Sequence, residues 1–232
     1  MPKKFFWGVM LIVWSCFMVT MLGNRMDGKW FVEDVEKIGE LNLAKYYEQI
    51  LVVAVKNEEA ILCFYQKAPS GKWKLELETQ AQIGKNGLGK RREGDGKTPV
   101  GVFSFTDAFG ILKNPGAKIP YIQVKKNHYW IDDAKSEYYN QFVDSEEVIK
   151  DWTSAEHICE YGEVYHYVMA TDYNAEGIAG VGSAIFLHCM TEEMEGTAGC
   201  VAIPEIFMKQ LLKKVDSECV LIIDEAENIL KY

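Results

Sequence analysis

From residue 50 onward the chain is built of short apolar runs separated by turn-forming residues. "ILVVAV", "AILCFYQ" and "KWKLELET" follow one another with "KNEE" and "APSG" between them, a pattern that predicts consecutive β-hairpins. Further strands are predicted at "PVGVFSF", "IPYIQV", "YHYVMATDYN", "GSAIFLHC" and "CVLIID". Helical signals are few. "DSEE" from Asp144 offers a cap with a carboxylate three residues on, and "PEIFMKQLLKKV" has helical spacing behind Pro204. Strand and helix do not alternate, so the expected fold is mainly β with a few peripheral helices.

The first residues follow a different pattern. Residues 5–22 form an uncharged, mostly apolar run preceded by Lys3 and Lys4 and followed by Arg25. That is about one membrane crossing, long for a signal-peptide core and without a clean cleavage pair. The expectation is an uncleaved anchor over residues 1–24 with the remainder exported; secretion after cleavage is the alternative. Residues 25–49 are charged and moderately periodic, which predicts a short helical juxtamembrane spacer, and residues 50–232 make the folded domain.

Composition narrows the classes of function. At 232 residues and 48% hydrophobic, the chain supports one well-buried domain plus an appendage. A formal net charge of −9 leaves no overall positive field, which argues against a nucleic-acid groove. Gly96, Lys97 and Thr98 stand in the order of a phosphate-binding loop, but Arg91 occupies the position that needs glycine, and Pro99 with "VGVFSF" predicts a following strand instead of a helix. Nucleotide binding there is rejected. The six cysteines (16, 63, 159, 189, 200, 219) are irregularly spaced and several sit in apolar runs, so most are expected to be core thiols.

Candidate chemistry concentrates in "AIFLHCMTEEMEGTAGCVAIPE". His188, Cys189 and Cys200 lack the paired spacing of a metal site, so no metal is expected. Strand alternation sends Cys189 to the apolar face with Leu187, opposite the face that carries His188. Cys200 follows the small residues of "EGTAG" and can turn back over that strand. A thiol beside an imidazole makes an activated nucleophile, with a lowered thiol pKa expected, and backbone N–H groups near Gly199 and Cys200 could hold an acyl oxyanion.

"IFLHC", "TAGCVAIP" and the upstream "GDGKTPVGVF" together resemble the L,D-transpeptidase catalytic domain, the YkuD domain, and "WIDDAKSEYYNQ" and "GSAIFLHC" resemble one branch of it. The resemblance covers about residues 50–224. It implies a β-sandwich-like fold and a cell-wall cysteine enzyme without cofactor, acting on peptidoglycan stem peptides. The thiol would attack a bond between an L-centre and a terminal D-residue, release the latter and pass the acyl group to an amine. Water as acceptor would make an L,D-carboxypeptidase, and loss of turnover would leave a wall-binding module.

By the same resemblance Cys200 is the nucleophile and His188 its base, while Thr197 and Gly199 shape the turn and oxyanion site. Trp130, Asp132, Asp133 and Tyr139 are expected as structural or groove residues. Two positions depart from the pattern: Cys189 stands where many relatives have Gly, and Ala202 where many have Arg. Arg91 and Arg92, with Lys90 and Lys97, are the candidates for supplying the missing cation from the glycine-flanked loop.

Overall fold

The computed structural model describes residues 35–232. The apolar run at residues 5–22 and the first part of the spacer lie outside the described residues. Among the described residues no helix is long and apolar enough to cross a membrane.

A one-turn helix, α1 (Val35–Ile38), precedes an antiparallel meander of β1 (Gln49–Lys56), β2 (Glu59–Lys67) and β3 (Trp73–Ala81). Then come β4 (Gly101–Gly110), β5 (Tyr121–Gln123) and three short strands, β6 (His128–Trp130), β7 (Phe142–Asp144) and β8 (Glu156–His157). The chain continues through β9 (Val168–Thr171), β10 (Phe186–Met190), β11 (Val201–Pro204), α2 (Glu205–Lys214) and β12 (Val220–Glu225). The fold is mainly β, as the hydrophobic pattern predicts.

The main sheet runs β11-β10-β9-β4-β12-β1-β2-β3, with β5 beside β4, and β7-β6-β8 form a separate small sheet. The two ends of the main sheet meet. Gln82, the residue after β3, exchanges both backbone hydrogen bonds with Ala202 of β11, each 2.8 Å, so the sheet closes on itself. This contact draws the loop after β3 against the turn before β11, where Gly84 bridges Thr197.

The unbroken apolar runs of β1 and β12 follow from burial on both faces. Leu51, Val53, Val55, Leu221 and Ile223 join the interior core with Met208, Leu211 and Leu212 of α2. Ile50, Val52, Ala54, Val220 and Ile222 face outward into a second core, covered by Ile38, Leu41, Ala44 and Ile229. The end of the expected spacer thus packs onto the sheet. Of the five described cysteines, Cys189 and Cys219 lie in the interior core and Cys63 in the outer one.

Two local expectations are corrected. No helix starts at Asp144: it ends β7, its Oδ1 accepts the Glu146 N–H at 2.9 Å, and a turn follows. The cap forms, but Ile149 beyond it is 88% exposed, so no apolar face is available to propagate a helix. "GSAIFLHC" is strand only from Phe186, because Ala184 takes a left-handed conformation (φ 53°) that turns the chain just before β10.

Candidate active site

The parallel pairing of β10 with β11 sets His188 opposite Ala202, so Cys200, two residues before Ala202, belongs to the same sheet face as His188. Both line a cavity of about 400 Å³. Leu187 and Cys189 point the other way into the interior core. Cys200 and His188 are only 8% and 4% exposed.

The thiol is held from two sides. Its Sγ–H donates to the Ala184 carbonyl at 3.0 Å, and Sγ accepts the Phe186 N–H at 3.3 Å. Both contacts depend on the left-handed turn at Ala184, and Asn140 fixes that turn. Asn140 Oδ1 accepts the Ala184 N–H at 3.0 Å and the Trp130 indole N–H at 3.1 Å, while its Nδ2 donates to the carbonyls of Tyr173 and Asn174 at 3.0 and 2.9 Å. Every hydrogen-bonding position of that amide is used.

His188 Nδ1 lies 2.9 Å from the Cys189 carbonyl. A carbonyl only accepts, so Nδ1 carries the proton and Nε2 the lone pair. Burial lowers the imidazole pKa to about 4, against the opposing pull of the Cys189 carbonyl bond. The ring is therefore neutral near pH 7 and can take a proton.

The expected lowering of the thiol pKa is not found. Burial, reinforced by the nearby Glu156 carboxylate, pushes Cys200 up to about 12, although the Phe186 N–H works in the opposite sense. Near pH 7 the pair is a neutral thiol and a neutral imidazole.

Thr197 and Gly199 build the turn before Cys200. Thr197 Oγ1 donates to the Cys200 carbonyl at 2.7 Å and accepts the Gly199 N–H at 3.0 Å. The Gly199 amide is thus engaged within the turn and is not available for the oxyanion role expected of it. Glycine is required at 199: φ is 149° and a Cβ would sit 2.8 Å from the Lys97 carbonyl oxygen. Thr98 ties the loop to the same point, with its Oγ1 accepting the Gly84 N–H at 2.8 Å and donating to the Cys200 carbonyl at 3.3 Å.

The remaining expected site residues do not all converge. Trp130 and Tyr139 are buried beside the cavity without lining it. The indole bonds Asn140, and the Tyr139 hydroxyl donates to Glu93 at 2.6 Å while accepting the Gly182 N–H at 3.2 Å. Asp133 is a loop tie, accepting the Thr153 N–H and hydroxyl at 2.8 Å each.

Arg91 and Arg92 are exposed and outside the cavity lining; their backbone N–H groups bond the Asp95 carboxylate at 2.8 and 3.1 Å, which turns the loop tip outward. The loop cation that reaches the cavity is Lys90, paired with Asp95 at 3.1 Å. Ala202 is fully buried at the closure.

Sequence reasoning missed Glu93, Glu156, Tyr165 and Asn140. Only Asn140 lay within a motif quoted for the resemblance. Tyr165 donates to Glu156 at 2.6 Å, and its ring meets that of His188 edge-on at 5.8 Å between centroids.

A buried thiol and a lone-pair imidazole thus face one cavity of a closed β sheet. The family profile of the L,D-transpeptidase catalytic domain (YkuD) matches residues 49–223, and the chain belongs to that family. Among solved structures, the helical cell shape determining protein Pgp2 of Campylobacter jejuni is 18% identical over 80% of this chain and 53% of its own, with a TM-score of 0.40. An Enterococcus faecium L,D-transpeptidase is 15% identical over 76% and 50%, with a TM-score of 0.38. L,D-transpeptidase 1 of Mycobacterium tuberculosis is 11% identical over 77% and 62%, with a TM-score of 0.37. The chain spans less than two thirds of the length of each of these three. No match was found among curated protein sequences.

Proposed function

We propose that this protein is a peptidoglycan L,D-transpeptidase that carries an acyl group on Cys200. The observation that carries the reading is the shared cavity of Cys200 and His188, with the histidine tautomer set by the Cys189 carbonyl. A stem peptide enters with the carbonyl of its L-centre at Sγ. His188 Nε2 takes the thiol proton as sulfur attacks, and the Cys200 N–H holds the oxyanion. Collapse forms the thioester and breaks the bond to the terminal D-residue, whose amine leaves with the proton from Nε2. An amine of a second stem then attacks the thioester and gives its proton to His188; the new amide forms as the C–S bond breaks, and the imidazolium returns the proton to the departing Cys200 thiolate.

Residues 5–22 are proposed to anchor the chain in the cytoplasmic membrane with the domain outside, where its substrate would be. The test is mass spectrometry of stem peptides incubated with the full chain and with Cys200→Ala. The expected result is a thioester adduct followed by a cross-linked product, both lost in the variant. Release of the D-residue with hydrolysis alone makes the protein an L,D-carboxypeptidase. No adduct and no product would overturn catalysis and leave a wall-binding module.

A further inference from the structure

The loop after β3 sends one cation to the cavity. Lys90 is the only lysine or arginine among the lining residues, and its side chain is 2% exposed. A buried ammonium is costly even when paired, yet the fold clears a place for this one. The lysine arm lies against two glycines. A Cβ on Gly182 would sit 2.4 Å from its Cε, and one on Gly199, the residue before Cys200, 3.5 Å from its Nζ. Its counter-ion is shared. Asp95 accepts the ammonium at 3.1 Å and also the backbone N–H groups of Arg91, Arg92 and Lys97 at 2.8, 3.1 and 3.1 Å, so four donors divide one carboxylate charge. Of the three N–H donors on Lys90, Asp95 and the Arg92 carbonyl at 3.4 Å take two, and one is left.

We propose that Lys90 is the charge partner of Cys200, its buried ammonium stabilising the negative charge that forms first on sulfur and then on the acyl oxygen. The inference rests on the acyl-transfer reading of the same cavity and adds the cation that reading lacks. When His188 Nε2 takes the thiol proton, sulfur keeps the electron pair; when sulfur attacks, the carbonyl π pair moves to oxygen. Lys90 keeps its protons through both steps and acts by charge and by its spare N–H. This chain has few other means. The Gly199 amide is engaged by Thr197, and Ala202 stands where many relatives carry arginine. The other titratable groups lining the cavity with Cys200 are neutral or acidic: His188, Tyr161, Tyr165, Glu93, Asp132 and Glu156. Burial and Glu156 raise the thiol pKa, and the Phe186 N–H and the Lys90 charge work against them. A charge held this far out of water is screened little by salt.

Lys90→Met tests this, since it removes the charge, keeps most of the apolar stem and leaves Asp95 its three backbone donors. Iodoacetamide alkylation of the full chain, read by peptide mass at Cys200 as a function of pH, follows thiolate formation without any stem peptide. The pH–rate curve should move to higher pH, with alkylation about ten-fold slower at a fixed pH on its rising limb. The sign separates charge from structure: a loosened loop would expose the buried thiol and speed alkylation, whereas loss of the cation slows it. Lys90→Ala opens space for a soluble substitute. Propylammonium should restore much of the rate, 1-propanol, equal in size but uncharged, should not, and wild type should respond to neither. Thioester formation from a stem peptide should fall about 10²-fold in Lys90→Met, more than alkylation does, because alkylation forms no oxyanion.

Alkylation that is unchanged or faster in folded Lys90→Met overturns the proposal, as does equal rescue by propylammonium and 1-propanol. Equal falls in alkylation and thioester formation would overturn its oxyanion half. If neither variant gives a cooperative thermal melt even with the amine present, Lys90 serves the fold alone and the proposal also falls. The two readings fail separately. Slower alkylation with amine rescue, but no thioester from stem peptides in wild type, would keep the charge partner and remove the transferase. Cross-linked product formed equally by wild type and Lys90→Met would keep the transferase and remove the charge partner.

Discussion

Replacing Asn140 tests how the Cys200 thiol is held. Its side chain makes four hydrogen bonds, to the Ala184 amide, the Trp130 indole and the carbonyls of Tyr173 and Asn174. In Asn140→Ala the two N–H donors lose their acceptor in a part-buried setting, at about 1–3 kcal/mol each, while water can replace the side chain at the two carbonyls. Asn140 itself has φ 60°, so alanine there adds about 1 kcal/mol of backbone strain that glycine avoids.

The expected loss is therefore about 3–7 kcal/mol for Asn140→Ala and about 1 kcal/mol less for Asn140→Gly, read from urea unfolding. Asn140→Asp keeps the acceptor for Ala184 and Trp130 but sets a carboxylate oxygen against two carbonyls, and should fall between wild type and alanine. Because the Ala184 carbonyl accepts the Cys200 thiol proton, iodoacetamide alkylation of Cys200 at fixed pH should change several-fold in the folded alanine variant. A loss under about 1 kcal/mol together with an unchanged alkylation rate would refute the claim that this amide sets the turn.

Alkylation of Cys200 in the ligand-free protein should keep rising beyond pH 9, and faster in Glu156→Gln; a plateau below pH 8 would contradict the burial of the thiol. Glu156 titrates near 7 when folded against its ordinary 4.5, so the stability linked to its neutral form is complete below 4.5 and lost as pH rises through 7. Glu156→Gln should accordingly be more stable than wild type at pH 8, by about 3 kcal/mol at most, and nearly equal to it at pH 4. An equal difference at both pH values in thermal melts would count against that shift. Leu41→Ala should cost about 2–4 kcal/mol, because Leu41 is 1% exposed in the outer core; a loss below 1 kcal/mol would place residues 35–44 outside the cooperative fold.

The sequence by itself determined what depends on local period. The two-faced burial of β1 and β12 is written in their unbroken apolar runs, the helix after Pro204 in its spacing, and the opposite destinations of Cys189 and Cys200 in the alternation of one strand and the small residues of the next turn. The glycine before Cys200 was legible for the same reason, since a tight turn tolerates little else.

What only the tertiary structure decided is everything that joins distant segments. The closure of Gln82 onto Ala202 carries no side-chain period of its own, and neither does the left-handed turn at Ala184, which Asn140 holds from 44 residues away. Glu93 and Glu156 carry no signal along the chain, and Asp132 was expected as a structural or groove residue; only the fold sets all three around the cavity that holds Cys200. The same desolvation reversed the expected direction of the Cys200 shift. Proximity to a histidine can be inferred from sequence, but the dielectric around the pair is set by residues drawn from the whole chain.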